Sequence, residues 1–144
     1  MIVLTKYLGE MKIDEANIIH FSGGLPGFLE ETKFILLDLP GNPLFQFLQS
    51  IQTPDLAFIV TDPYHYYQDY QFELDEQILT ALQIESEKEV MVRAIITLKE
   101  PFTASTMNLK APVVINPISK AGKQFILNKE QYEAKTPILP KGGE

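Results

Sequence analysis

One stretch decides the fold of this chain: Met107-Asn108-Leu109-Lys110-Ala111-Pro112-Val113-Val114-Ile115-Asn116. Taken with a period of two, it places every second residue from Met107 to Ile115 on one apolar face, which is typical of a half-buried strand. Residues 90–98 show the same alternation, and residues 123–127 follow after a turn at 119–122. Three consecutive strands with short connections predict an antiparallel meander.

Pro112 breaks the rule of this strand, because proline has no N–H group to donate to a ladder. We therefore expect the strand to lie at a sheet edge at this point or to carry a bulge. An open edge can accept a strand from a second protein, and edges are also commonly shielded by loops. The sequence leaves both interpretations open.

The pattern of the rest of the chain predicts short strands separated by turns. Gly9-Glu10 forms a hairpin turn between residues 3–8 and 11–13, and apolar runs of strand length follow at 18–21, 34–39, 44–51 and 56–61. Asp75 is placed to cap a short helix over residues 76–83. The predicted fold is mostly β, a single-domain antiparallel β-barrel-like fold with one or two short helices.

Length and composition set the domain organisation. A chain of 144 residues forms one domain, which we place at residues 1–133, with a flexible C-terminal tail at 134–144 that contains Pro137 and Pro140. The absence of cysteine excludes disulfides and thiol chemistry. No signal peptide and no run of about 20 apolar residues is present, so we expect a cytoplasmic protein that does not enter membranes.

Negative charge is concentrated in the middle of the chain. Residues 62–89 contain eight acidic residues and one lysine, whereas residues 90–144 contain eight basic residues and four acidic ones. Such a segment repels phosphates and disfavours direct nucleic-acid binding, but it attracts basic proteins. It is either a solvated face that maintains solubility or a docking surface.

Tyrosines are concentrated in the same region. Four of the six tyrosines lie between Tyr64 and Tyr70, in a segment that begins with Asp62-Pro63. A tyrosine has a broad apolar ring and a polar end, so this cluster either covers one end of the barrel or faces a partner.

The sequence offers little for catalysis. His20 and His65 have no second ligand at metal-binding spacing, and no serine lies in a nucleophile elbow. The adjacent acids Asp14/Glu15, Glu30/Glu31 and Asp75/Glu76 lie in polar breaks or at a helix start. We therefore expect neither an enzyme nor a metal or cofactor site. Two alternatives remain: a small β-barrel that binds an apolar ligand, and an enzyme whose carboxylates converge on folding.

A set of short motifs resembles the flagellar assembly factor FliW family. The motifs are Gly24-Leu25-Pro26-Gly27-Phe28, Leu48-Gln49-Ser50, Pro54-Asp55-Leu56-Ala57-Phe58, Asp62-Pro63, Asp69-Tyr70, and residues 108–116 with Lys123-Gln124 after them. The likeness runs from about Tyr7 to Tyr132. Lys135-Thr136-Pro137-Ile138 departs from the basic Arg-His-Pro-Leu that many members have there.

This resemblance implies a bacterial cytoplasmic protein without enzymatic activity that exchanges partners during flagellum biogenesis. It would bind newly made flagellin as a chaperone, and after flagellin export it would bind the translational regulator CsrA and relieve repression of flagellin mRNA. Flagellin would offer an amphipathic helix to an apolar groove. The matching positions Gly27, Gln49, Ala111, Pro112 and Asn116 are interpreted as structural. Our predicted partner-contact residues are Tyr64, Tyr66, Tyr67, Asp69, Tyr70, Glu73, Asp75 and Glu76.

Overall fold

The computed structural model describes residues 1–128 and 131–138. This part of the chain forms eleven strands, one α-helix and several 3₁₀ turns. The elements are β1 (Ile2–Leu4), β2 (Glu10–Lys12), β3 (Ile19–His20), β4 (Lys33–Leu39), β5 (Asn42–Ser50), β6 (Ala57–Thr61), α1 (Glu76–Ala81), β7 (Met91–Thr97), β8 (Thr106–Met107), β9 (Val113–Asn116), β10 (Ala121–Gln124) and β11 (Thr136–Pro137). No helix in the described ranges is both long and apolar enough to cross a bilayer.

The strands close into a barrel. Strands β3 to β7 pair with their sequence neighbours, β7 pairs on its other edge with β8 and β9, and β9 and β10 lead back to β3. The mostly β, barrel-like prediction is thereby confirmed. One pairing departs from the antiparallel pattern, because β10 and β3 run parallel and meet at the single pair Ala121 and His20.

Gly122 allows this parallel seam to close tightly. A Cβ atom at Gly122 would lie 2.7 Å from the ring of Phe21 and 3.1 Å from the Ile19 side chain, which is closer than packed atoms tolerate. The seam also contains a backbone hydrogen bond of 2.7 Å from the His20 N–H to the Lys120 carbonyl. The close approach of β10 to β3 therefore depends on a glycine at position 122, which has no side chain.

The stretch that decides the fold, residues 107–116, does not form one continuous strand. It contains the end of β8 and all of β9, with an irregular segment between them. Strand β8 pairs with Ile96 and Thr97 of β7, and β9 pairs with the beginning of the same strand. Between them the Asn108 carboxamide oxygen accepts hydrogen bonds from Lys110 N–H and Ala111 N–H, which turns residues 108–112 out of the ladder. A continuous strand over 107–116 was therefore wrong, and the irregularity predicted at Pro112 is this excursion.

The barrel is solid inside. Alternate residues of the strands point inward and are almost wholly inaccessible to solvent. The side chains that fill the interior are Ile19, Phe21, Leu25, Phe34, Leu48, Val60, Val113 and Ile115. A cavity of about 340 Å³, lined by Lys12, Asp14, Ile19, Ile115 and Lys120 among others, is open to solvent and not enclosed. This packing disfavours the alternative of a barrel that encloses an apolar ligand.

Three layers cover the outside of the barrel. The β1–β2 hairpin region packs on Ile35, Leu37 and Phe47, while helix α1 packs on Val114. The third layer consists of residues 66–72 and the C-terminal residues 132–138, which pack over the outer face of β7 and β8. The part of the barrel wall beneath each layer is therefore apolar on both faces.

The predicted tail is part of this third layer as far as residue 138. Strand β11 pairs with β8, the N–H of Ile138 donates to the Ser105 carbonyl at 2.9 Å, and the Ile138 side chain is 0 % exposed. A flexible tail from residue 134 is therefore wrong for 136–138, because sheet pairing and an apolar anchor fix them. The remainder of the predicted tail, 139–144, lies outside the described residues.

Candidate functional site

The tyrosine segment, which we define as residues 64–72, crosses the outer surface of β7 and β8. It begins at a 3₁₀ turn, Pro63–His65, where the Asp62 carboxylate accepts a 2.9 Å hydrogen bond from the Tyr64 N–H. Pro63 is buried at this turn and supplies the φ angle that the first residue of such a turn needs. The Asp-Pro pair therefore sets the direction in which the tyrosines leave the barrel.

Tyr70 is the anchor of this segment and not a contact residue. Its side chain is 3 % exposed, and its hydroxyl donates a 2.7 Å hydrogen bond to the Leu109 carbonyl. The ring of Tyr132 meets it edge-on with centroids 4.7 Å apart. Burial raises the pKa of Tyr70 far above its usual value, so the donating proton stays in place. We correct the prediction for this residue, because a buried ring with a bonded hydroxyl offers nothing to a partner.

Three tyrosines of the segment remain accessible. Tyr64 is 37 % exposed, and Tyr66 and Tyr67 are half-buried. Partial burial raises the pKa of all three hydroxyls, which are therefore neutral at physiological pH. The Tyr67 hydroxyl donates to the Pro137 carbonyl, so this ring is held in place by the C-terminal strand. Part of the predicted tyrosine surface is thus available as fixed, uncharged rings.

The predicted acidic contact residues all lie on the surface. Asp69, Glu73, Asp75 and Glu76 are exposed. They follow one another along residues 69–76, from within the tyrosine segment to the first residue of helix α1. Asp75 has a second role, because its carboxylate accepts a 2.9 Å hydrogen bond from the Ile78 N–H and caps the helix. These four exposed acids therefore lie within eight consecutive residues on the outside of the barrel.

Helix α1 is fixed to the barrel, which makes the acidic surface rigid. Its buried Ile78 and Leu82 pack against Val114. The Asn116 carboxamide donates to the Leu82 carbonyl at 2.8 Å and to the Gln83 carbonyl at 3.1 Å. Asn116 was interpreted as structural, and these hydrogen bonds agree with that role. A helix of two turns is too short to hold its own conformation, so this docking positions Glu76.

Two cavities open beside the tyrosine segment. The first, of about 710 Å³, lies between residues 66–70 and the C-terminal residues 131–137. The second, of about 1160 Å³, lies between the segment, helix α1 and the start of β7. Its floor contains the half-buried apolar side chains Phe72, Leu74, Leu79, Ile84 and Val90, and Glu73 and Glu85 are exposed at its rim.

Two contributors to this surface escaped the sequence analysis. The C-terminal residues 131–137 form one wall of the first cavity; Tyr132, the tyrosine after the cluster, was the available signal. Arg93 lines the second cavity, with its Nε donating to the Gln46 carboxamide at 3.0 Å and Nη1 to the Val92 carbonyl at 2.9 Å. Burial lowers the pKa of Arg93, although a nearby carboxylate, Asp62, opposes this effect. Nothing in the local sequence distinguishes Arg93 from an exposed strand residue.

The site has the properties of a protein-binding surface. Within residues 1–128 and 131–138, no group of three or more His, Cys, Asp or Glu side chains is placed to hold a metal ion. Half-exposed aromatic rings, an apolar groove and exposed carboxylates lie next to one another, which is a common composition for a protein interface. Gln49, also interpreted as structural, is buried; its carboxamide accepts from the Lys6 N–H at 3.0 Å and donates to the Pro54 carbonyl in the β5–β6 loop at 3.1 Å.

Comparison with known proteins gives a consistent answer. A family model described as "FliW protein" matches residues 2–138. The chain is 49% identical to the flagellar assembly factor FliW of Oceanobacillus iheyensis over 96% of this chain and 94% of that protein. It is 44% identical to the flagellar assembly factor FliW of Bacillus subtilis over 100% of this chain and 99% of that protein. A solved structure, "Crystal structure of the flagellar assembly factor FliW", superposes with a TM-score of 0.92 at 41% identity, covering 97% of this chain and 98% of that one.

Proposed function

Because the chain belongs to the FliW family of flagellar assembly factors, we propose that it works by exchanging two protein partners on the surface described above. The family consists of assembly factors and not of enzymes. One partner is flagellin, and the other is the RNA-binding translational regulator CsrA. Flagellin bound to the protein keeps it from the regulator, and export of flagellin frees it to relieve repression of flagellin mRNA.

The observation that carries this proposal is the continuous acidic and aromatic surface over residues 64–76. Its four exposed carboxylates lie beside three accessible tyrosine rings on a layer fixed to the barrel. A protein that binds RNA presents basic residues, so this surface attracts the regulator while it repels the phosphates of the RNA. Release of the mRNA then needs no contact between this protein and RNA, because coupling between two sites of the regulator is sufficient.

The second cavity supplies a suitable place for flagellin. An amphipathic helix buries its apolar face in a hydrophobic groove and leaves its polar face in solvent. Phe72, Leu79 and Val90 form an apolar part of the groove, beside the charged Glu73, Glu85, Lys88 and Arg93, and the volume of about 1160 Å³ accommodates several side chains. Glu73 belongs to the rim of this groove and also to the acidic surface. Shared rim residues give a physical reason for the two partners to exclude one another.

Charge reversal tests the electrostatic part of the proposal. We expect a variant with Asp69→Lys, Glu73→Lys and Glu76→Lys to lose about tenfold or more in affinity for the regulator, measured by calorimetry at low salt. Asp75 is left unchanged because loss of its cap would cost about 1 kcal/mol of stability. Circular dichroism verifies that the fold is retained.

A matched control separates the local surface from total charge. Glu10→Lys, Glu15→Lys and Asp55→Lys change the net charge by the same amount at exposed positions on the β1–β2 hairpin, the turn after it and the β5–β6 loop. We expect this triple variant to bind the regulator within about threefold of the unmodified protein. Equal losses in both triple variants, or none in either, would contradict the proposal.

A further inference from the structure

The cavity beside Tyr66–Tyr70 is built from two segments that the fold ties together. One wall is the tyrosine segment, and the other is Gln131–Pro137. The Tyr132 hydroxyl accepts from the Gln71 N–H and donates to the Gln71 carbonyl, both at 2.9 Å. In the other direction across the cavity, the hydroxyl of Tyr67 in the tyrosine segment donates a hydrogen bond to the Pro137 carbonyl of the C-terminal segment. Side-chain hydrogen bonds therefore hold the two walls of this open cavity together in the folded chain.

Three of the four tyrosines that line the cavity already use their hydroxyl protons in hydrogen bonds within the fold. The hydroxyl protons of Tyr67, Tyr70 and Tyr132 are donated to the carbonyls of Pro137, Leu109 and Gln71. The half-buried Tyr67 and Tyr132 therefore present ring surface and oxygen lone pairs to the cavity and no donated proton, whereas the ring of Tyr70 is buried. Ring faces and lone pairs attract cations and do not attract anions.

The charged residues of the lining have one sign. Asp69 stands on one wall and Glu133 on the other, both exposed, and the described lining contains no lysine or arginine. Lys135 is close in sequence but does not line the cavity. A volume of about 710 Å³ accommodates one long side chain with its neighbouring backbone. The lining thus combines aromatic rings with two carboxylates and favours a positively charged guest.

We propose that this cavity receives the side chain of an arginine from a protein partner. The planar guanidinium lies against a tyrosine ring and donates hydrogen bonds to Asp69 and Glu133. The inference deepens the proposed function, on which it rests for the identity of the partner. It assigns a specific anchor to an attraction that is otherwise distributed over the acidic surface. It also gives the C-terminal segment 131–137 a part in recognition.

The test uses a probe that does not depend on the regulator. We titrate the full chain with the peptide acetyl-Gly-Arg-Gly-amide and with its citrulline counterpart, which keeps the shape and lacks the charge, and follow both by ¹H–¹⁵N NMR. The arginine peptide should produce saturating shifts at Tyr132 and Thr136 and bind about fivefold or more tightly than the citrulline peptide. Equal binding of the two peptides, or no shift at these residues up to about 10 mM, overturns the inference.

Variants then connect the cavity to the regulator. Glu133→Gln with Tyr66→Leu removes one charge and one ring without removing the hydrogen bonds of Tyr67, Tyr70 and Tyr132; Glu10→Gln with Tyr7→Leu is the matched control. We expect the cavity variant to weaken binding of the arginine peptide and of the regulator by about fivefold each, with the control unchanged. If the regulator binds the cavity variant normally and still loses affinity for the Lys triple variant, the arginine anchor is wrong and the proposed function stands.

Discussion

The buried hydroxyl of Tyr70 helps to fix the tyrosine segment to the barrel. Tyr70 donates to the Leu109 carbonyl within a cluster that contains Val92, Met107 and Ile138. Leu109 belongs to the excursion of the chain at residues 108–112, so this hydrogen bond connects the site to the interrupted strand. The position of the accessible rings Tyr64, Tyr66 and Tyr67 thus depends on one buried neighbour.

Replacing Tyr70 with phenylalanine tests this anchor. The Leu109 carbonyl would lose its partner in a buried place, so we expect the free energy of unfolding to fall by about 1–3 kcal/mol near pH 8. Urea titration followed by circular dichroism measures the change. The matched control, Tyr7→Phe, alters an exposed ring stacked on Phe47, and we expect a change within about 0.5 kcal/mol there.

The same variant predicts a change in pH dependence. Burial raises the pKa of Tyr70 in the folded chain above the value of about 10 in the unfolded chain. The stability that this proton contributes is therefore complete below about pH 10 and is lost as the pH rises above it. Tyr70→Phe should consequently lose less stability than the wild type between about pH 8 and about pH 10.5. Identical declines in the two proteins would show that Tyr70 ionises normally in the folded state.

Sequence reasoning at this scale identifies residue types better than it identifies their exposure. It located the four clustered tyrosines and the four acids, and it recognised Asp75 as a helix cap, because each of these is written in local sequence. It did not separate Tyr70 from Tyr64, since the difference arises from the carbonyl of Leu109, thirty-nine residues away. Burial of one ring in a cluster is a property of tertiary packing.

Elements that depend on periodicity were predicted more closely than those that depend on single contacts. The runs at 34–39, 44–51 and 56–61 became β4, β5 and β6, with the hairpin loop at the expected residues. Pro112 marked the place where the ladder breaks, but the length of the excursion is set by hydrogen bonds to the Asn108 side chain. Strand β11 has two residues, and no alternation can be detected over that length.

The role of β11 is tested at its anchor. Ile138→Ala removes apolar atoms from a side chain that is 0 % exposed and packs in the cluster with Met107 and Leu109. We expect the free energy of unfolding to fall by about 2–4 kcal/mol in urea titrations. Ile118→Ala makes the same change at an isoleucine that is 73 % exposed, and its effect should stay within about 0.5 kcal/mol. Equal effects of the two substitutions would mean that β11 does not contribute to the folded core.

For the whole molecule, the sequence predicted the barrel architecture but not the strand pairing that closes the barrel. Alternating strands and short turns indicate a barrel, whereas the parallel contact of β3 with β10 follows no local pattern and is permitted by Gly122. Charge segregation was visible by counting residues, yet its placement on the outside of the barrel, over two of the covering layers, required the fold. Helix α1 and the tyrosine segment lie on the outside of the barrel, apart from its packed interior.

This segregation of charge predicts that the two partners respond differently to salt. Under the proposed function, residues 62–89 attract a basic regulator and accelerate encounter, so the association rate should fall about tenfold or more between about 0.05 M and about 0.5 M salt. Flagellin seated on the apolar floor at Phe72 and Val90 should show a change of less than about threefold, because burial of apolar surface is not screened. Stopped-flow fluorescence measures both rates.

The Lys triple variant at Asp69, Glu73 and Glu76 should flatten the regulator's salt dependence, whereas the control triple should preserve it. Parallel salt dependences for the two partners would mean that electrostatic attraction does not distinguish them, and the exchange would need another physical basis.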